Sequence, residues 1–248
     1  MADELEKLES EETPKIIPPQ PGAPFNDVED VIYRRRSVRF YKKKQVPEYL
    51  IRRILETGRF APSAGNGQTW KFIVVRNQKM IEEMTAEVVL FCQRLMGMLD
   101  YMRPGREKRE WLMKLFQRIR NNDLHPIPAG AMKLIAEGKL GLWHGAPTVI
   151  ILLADKRCPG NPMLDVGIAG QNMVLAANSM GLGTCWVSFV KPLRYSHKWK
   201  KKLGIRYPYE LATSIAVGYP RGNPDGYVPR ETQAIDWYDE DGACKVVY

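Results

Sequence analysis

Histidine and cysteine are scarce: 248 residues hold three of the first and four of the second. Cys92, Cys158, Cys185 and Cys244 are widely and irregularly separated, and no C-x-x-C occurs. That excludes the usual zinc and iron–sulfur spacings, so no metal is expected. Three scattered histidines add no ligand set. The N-terminus has no apolar core of the secretory type, so no signal peptide is expected. A transmembrane run is missing too. The most apolar helical stretch, 163–181, is interrupted by Asp165, Gln171, Asn172 and Asn178. The expectation is a cytoplasmic protein with reduced thiols and no membrane partner. No G-x-G-x-x-G follows the first predicted strand, which argues against a Rossmann nucleotide site. There is no internal repeat.

What is abundant is positive charge. Lys and Arg number 37 against 28 Asp and Glu, a net +9. The charge is uneven. Residues 1–13 carry six acids and one lysine, so the tail is −5 and the remainder +14. A basic body attracts anions, whether nucleic acid, phosphorylated cofactors or acidic substrates. A hydrophobic fraction of 44% suits a globular core.

Residues 1–24 read as a flexible acidic and Pro-rich arm, because the prolines of IIPPQPGAP oppose helix. Residues 25–248 read as one domain. Asn26 or Asp27 caps a short helix through Val28, Val31 and Ile32. Pro47 starts a second, with Leu50, Ile51, Ile54 and Leu55 on one face, ending at Gly58. APSAGNGQTW, 61–70, is a loop running into a strand, KFIVVRN. Residues 78–145 are mostly helical, broken near 103–105 and 125–128, and 90–145 reads as a helical lid. Within it Trp111, Leu112, Leu115, Phe116 and Ile119 recur at helical spacing. Residues 103–120 carry seven basic and two acidic side chains, a segment able to meet an anionic substrate or a 2′-phosphate.

PTVIILLAD, 147–155, is a buried strand by its unbroken apolar run. Asn161-Pro162 caps a long helix whose nearly uniform apolarity buries it, with Gly167 and Gly170 open to close approach by another backbone. TCWVSFV is a strand, residues near 196–203 a short basic helix, LATSIAVGYP a strand, and CKVVY a terminal strand. Strands spaced so unequally do not follow a βαβ rhythm. The expected fold is therefore α+β: a mostly antiparallel central sheet surrounded by helices.

The segment RRRSVRFY, 34–41, leaves two readings open. In an extended chain Arg35, Ser37 and Arg39 share one face, and two residues advance about 6.5–7 Å. Such a row suits a phosphate at one end and a polar ring edge at the other, since the arginine fork gives paired charge-assisted hydrogen bonds. Lys42, Lys43 and Lys44 continue the run, which suits a nucleic-acid arm over 34–44. Val38, Phe40 and Tyr41 interleave as packing residues would.

R-R-S-V-R, then A-P-S-A-G-N-G-Q-T-W-K-F, G-L-G-T-C-W, V-G-Y-P and a late P-R together resemble the nitroreductase family of FMN-dependent oxidoreductases, over roughly residues 26–232. The ordered set is specific; each piece alone is weak. The resemblance implies FMN as cofactor, NAD(P)H as electron donor and a small-molecule acceptor such as a nitroaromatic, quinone or activated alkene, reduced by ping-pong hydride transfer. It also implies a homodimer with FMN at the interface, C-terminal strand exchange between subunits, and no nucleic-acid partner. By resemblance Arg35 binds the phosphate, Arg36 and Ser37 line the phosphate and ribityl chain, and Arg39 reaches the flavin N1–O2 edge and stabilises the reduced ring. Pro62, Ser63, Ala64 and Asn66 match a loop that reaches the flavin from the partner. Trp186, Val187 and Ser188 match the strand beside N5, and Arg230 closes on the phosphate. Ser188 departs from the Glu or Gly of several members. No obligatory side-chain acid or base is implied. Relatives include dehalogenating and flavin-fragmenting enzymes, which stay open as alternatives.

Overall fold

The computed structural model describes residues 25–99, 126–222 and 234–247. The N-terminal arm, residues 103–120 with their helical stripe, and Arg230 lie outside the described residues.

Local sequence chemistry sets the first elements. Helix α1, Asp27–Arg34, starts in a full capping box. Asn26 Oδ1 accepts from Val28 N and Glu29 N, while the Glu29 carboxylate accepts from Asn26 N. Helix α2, Glu48–Arg59, begins directly after Pro47 and buries Ile51 and Ile54 at helical spacing. A 3-10 turn at Ala64–Asn66 leads to strand β1, Trp70–Val75. Helices α3, Gln78–Leu99, and α4, Pro126–Ala136, follow. Strand β2 is Thr148–Asp155 and helix α5 is Pro162–Ser179, capped by Asn161 Oδ1 at Leu164 N. Then come strand β3, Gly183–Val187, a 3-10 helix at Ser188–Tyr195, helix α6, His197–Lys202, and strand β4, Tyr209–Gly218. Two short strands, β5, Ile235–Tyr238, and β6, Cys244–Val247, close the chain.

The central sheet has the order β1-β2-β4-β3, and every neighbouring pair is antiparallel. Helices cover both faces, which is why β2 is apolar at successive positions instead of alternating. Val149, Ile151 and Leu153 pack with Val88, Trp143 and Trp199 on one side. Ile150, Leu152 and Ala154 pack with Ile54, Val166 and Met173 of α2 and α5 on the other. Each fully buried Leu or Ile contributes about 1.5–3 kcal/mol. The expected α+β, antiparallel architecture is what the chain adopts.

Two local expectations are corrected. TCWVSFV is not one strand: the ladder with β4 stops at Val187, and Ser188–Tyr195 winds into a 3-10 helix that buries Val190 and Leu193 three residues apart. Gly170 does receive a close neighbour, but it is a side chain. A Cβ there would overlap the Trp186 indole, while nothing lies within 4 Å of one at Gly167. The terminal strand β6 pairs with β5 of its own chain, Ile235 opposite Val247 and Tyr238 opposite Cys244.

Candidate functional site

The segment after α1 is docked rather than loose. Val38 N donates to Thr184 O at 2.8 Å, and Ser37 forms a parallel bridge with Thr184 at the free edge of β3. Further on, Lys42 N donates to Tyr219 O and Arg221 N to Phe40 O, both at 2.9 Å. Val38 and Tyr41 are buried in the core, whereas Ser37, Arg39 and Phe40 are exposed. The contact is close enough to require glycine on β3: a Cβ at Gly183 would lie 2.7–2.9 Å from the Val38 side chain. Val38 is therefore turned in and Ser37 and Arg39 out, while Phe40, expected to pack, faces solvent because only Val38 and Tyr41 reach the core. Arg35 is half-buried, and Arg36 folds back so that Nη1 donates to Tyr33 O and Arg35 O at 3.3 Å. Arg36 thus satisfies carbonyls at the end of α1.

Arg39 acts electrostatically on three neighbours. Burial raises the Cys185 thiol, against the lowering pull of Arg39 and Arg35. Burial also holds the Tyr41 hydroxyl far above its ordinary value, opposed in part by Arg39, while that hydroxyl donates to Val38 O at 2.8 Å. His144 is pushed below its ordinary value, first by burial and then by Arg39, so it stays neutral beside the cation. His144 was not legible as a site residue. It stands at φ +55° in the turn before β2, and its only signal was its place in L-W-H-G-A-P just ahead of that strand.

The far end of β3 is fixed by a buried relay. Trp143 Nε1 donates to Ser214 Oγ at 3.0 Å, and Ser214 Oγ donates to Val187 O at 2.8 Å. Trp143 is 2% exposed and Ser214 0%. The relay supplies a partner to the carbonyl left where β3 ends. Trp186 is half-buried with its ring on Gly170, Val187 is buried, and Ser188 is exposed.

The 61–70 loop is left-handed at Gly65, Asn66 and Gln68, φ +57°, +53° and +45°, whereas Gly67 is right-handed at φ −70°. Ser63 Oγ accepts from Gln68 N at 2.9 Å. Pro62, Ala64 and Asn66 are exposed and Ser63 half-buried. The loop sits at the start of α5: Ala64 lies beside Gly160, and buried Thr69 Oγ1 donates to the buried Asp165 carboxylate at 3.1 Å. The arginine segment sits at the other end of α5, where Asn178 Nδ2 donates to Val31 O at 3.3 Å. Eighteen helical residues span about 27 Å. One chain therefore brings Arg35, Ser37, Arg39 and the end of β3 to one region, and Pro62, Ser63, Ala64 and Asn66 to another. Among the described residues no group of His, Cys, Asp and Glu is placed to hold a metal ion, and no helix is long and apolar enough to cross a membrane.

Residues 32–219 match the family model described as the nitroreductase family. A Methanothermobacter thermautotrophicus protein named as a putative NADH dehydrogenase/NAD(P)H nitroreductase is 31% identical over 202 residues, 80% of each chain. A Thermus thermophilus NADH dehydrogenase is 34% identical over 228 residues, 84% of this chain and 95% of that one. Among solved structures, a nitroreductase with bound FMN from Desulfitobacterium hafniense superposes with a TM-score of 0.61 at 23% identity, covering 84% of this chain and 96% of that chain.

Proposed function

Because the chain belongs to the nitroreductase family of oxidoreductases, we propose that it binds FMN and moves hydride from NAD(P)H to a small-molecule acceptor. The observation that carries this reading is the docked segment, whose buried Val38 turns Ser37 and Arg39 outward along the edge of β3. The donor set fits the group. Arg35 and Ser37 offer a guanidinium fork and a hydroxyl to a phosphate and a polyol chain, and Arg39 offers a fixed cation beyond them. Arg36 is bonded to its own backbone, which leaves it a supporting part at the phosphate end. Arg230 is proposed to close on that phosphate.

Held by Arg35, Ser37 and Arg39, FMN would supply the two-electron redox chemistry, with Arg39 at its N1–O2 edge. The protein positions and tunes. Arg39 would supply a cation to that edge from a backbone pinned on both sides at Val38 and Phe40. His144, held neutral, adds no competing charge. The Trp143–Ser214 relay fixes the Val187 carbonyl, so Trp186, Val187 and Ser188 present a rigid backbone edge.

Pro62, Ser63, Ala64 and Asn66 lie at the start of α5, whereas the helix that leads into the arginine segment meets its end, so they are proposed to serve the cofactor of a second copy. Phe60, 80% exposed, and a groove of about 560 Å³ between α2 and α5 give that copy an apolar face. The acceptor class is proposed to be nitroaromatics, quinones or activated alkenes, turned over by ping-pong kinetics.

The test is a fluorescence titration of flavin-free protein with FMN, followed by an acceptor panel. Saturable quenching that Arg35→Ala weakens, with turnover of at least one acceptor, supports the reading. Protein that fails to quench FMN refutes it.

A further inference from the structure

A second cluster of cations lies at the end of the sheet where β2 stops and β4 starts. They line a cavity of about 390 Å³ with an apolar floor, Ile205 and Leu211. Its rim carries Lys156, Arg194, Lys200 and Arg206. One carboxylate, Glu210, answers two of them, with Lys156 Nζ at 3.0 Å and Arg194 Nη1 at 3.3 Å. Lys200 and Arg206 have no carboxylate partner among the described residues. Unbalanced cations over an apolar floor concentrate anions.

The same cavity is lined by Tyr195, Tyr207 and Tyr209. Two of these rings are held. Tyr195 stacks on Phe91 at 5.8 Å and 8°, with the Arg194 guanidinium 4.8 Å from its centroid. Tyr209 lies under the Lys71 ammonium at 5.0 Å. Tyr207 is 79% exposed. Rings already held lose little freedom when a flat ligand stacks on them.

An inorganic anion would leave the rings unused, and a neutral aromatic would leave Lys200 and Arg206 unanswered. We propose that this cavity binds a nucleoside phosphate, its base on the tyrosine faces and its phosphate between Lys200 and Arg206. Arginine's planar fork and lysine's point charge together suit a phosphate dianion. The cavity shares its sheet end with the 61–70 loop: Trp70 lies opposite Ala154, Ala154 opposite Glu210, and Lys71 reaches over Tyr209. In the proposed dimer that loop meets the partner's cofactor, which puts the cavity on an approach to that site. The ligand is then either the adenosine phosphate end of the reduced dinucleotide donor or a free nucleotide. The donor assignment rests on the proposed function; the binding site does not.

The test is calorimetric titration of the full chain with adenosine 2′-monophosphate and 5′-monophosphate, adenosine serving as the uncharged control. It is repeated on a Lys200→Ala/Arg206→Ala double variant. Both side chains are exposed, so the variant keeps its core, and matched circular dichroism checks this. At least one nucleotide binds the wild type more tightly than adenosine does, more weakly as salt rises, and at least about tenfold more weakly in the variant. A KM for NADPH that rises in the variant, with kcat and the NADH kinetics kept, assigns the donor end; unchanged KM for both assigns a free nucleotide. Equal nucleotide binding by wild type and variant, or none at millimolar ligand, overturns the proposal. So does tighter capture of oligothymidylate than of either mononucleotide. A wild type that binds no FMN sinks the proposed function and leaves the titration result standing.

Discussion

Arg39 carries the proposed chemistry because its neighbours are arranged around its charge. Val38 and Tyr41 are buried on either side of it, and Cys185 and His144 both feel its field. Arg39→Ala is expected to slow reduction of bound flavin roughly tenfold to a hundredfold while changing FMN affinity less, as befits an electrostatic stabiliser. Anaerobic stopped-flow against an FMN titration checks this, and an unchanged reduction rate removes the assignment. His144 makes a pH prediction. Its folded value lies below its ordinary 6.5, so the unfolded chain takes up its proton first as pH falls. Its contribution to stability is complete above that ordinary value and is lost as pH drops through the folded one. Melting temperature should therefore fall from pH 7.5 to pH 5, and less steeply in His144→Asn, which tolerates the left-handed backbone. Equal slopes contradict the account.

At the scale of elements, the end of β3 depends on one hydroxyl. Ser214→Ala leaves the Trp143 indole N–H and the Val187 carbonyl buried without partners, about 1–3 kcal/mol for each group. Urea denaturation should show that loss with an unchanged m-value; an unaltered midpoint means that the relay is dispensable. Elements with local signals were legible in the sequence. Asn26 and Asn161-Pro162 announce their helices, the unbroken run of 148–155 announces a doubly covered strand, and R-x-S-x-R announces an extended wall. Features set by distant partners were not. Ser214 is one polar residue in a strand until Trp143, 71 positions away, reaches it. Ser188, Phe189 and Val190 look like strand, but the β4 ladder ends at Val187, and burying Val190 with Leu193 favours a three-residue repeat. The four residues of β5 are too few for periodicity to show.

At the scale of the whole molecule, the 61–70 loop and the arginine segment lie toward opposite ends of α5, and the proposed dimer would join them. The family pattern names Pro62, Ser63, Ala64 and Asn66, while their separation from the arginine segment needed coordinates. If the site spans two protomers, variants broken in different halves complement each other. Arg39→Ala and Asn66→Ala chains, each weak in turnover alone, should regain about one quarter of wild-type sites when refolded together, since each mixed dimer has one intact site. No gain over the parents argues for sites within one chain. The most direct measurement is an anaerobic absorbance titration of the FMN-reconstituted protein with NADPH and with NADH. The account predicts that the yellow flavin band bleaches with about one equivalent of donor per site and returns when an acceptor is added. A protein that retains no FMN, or whose band neither nucleotide bleaches, contradicts it.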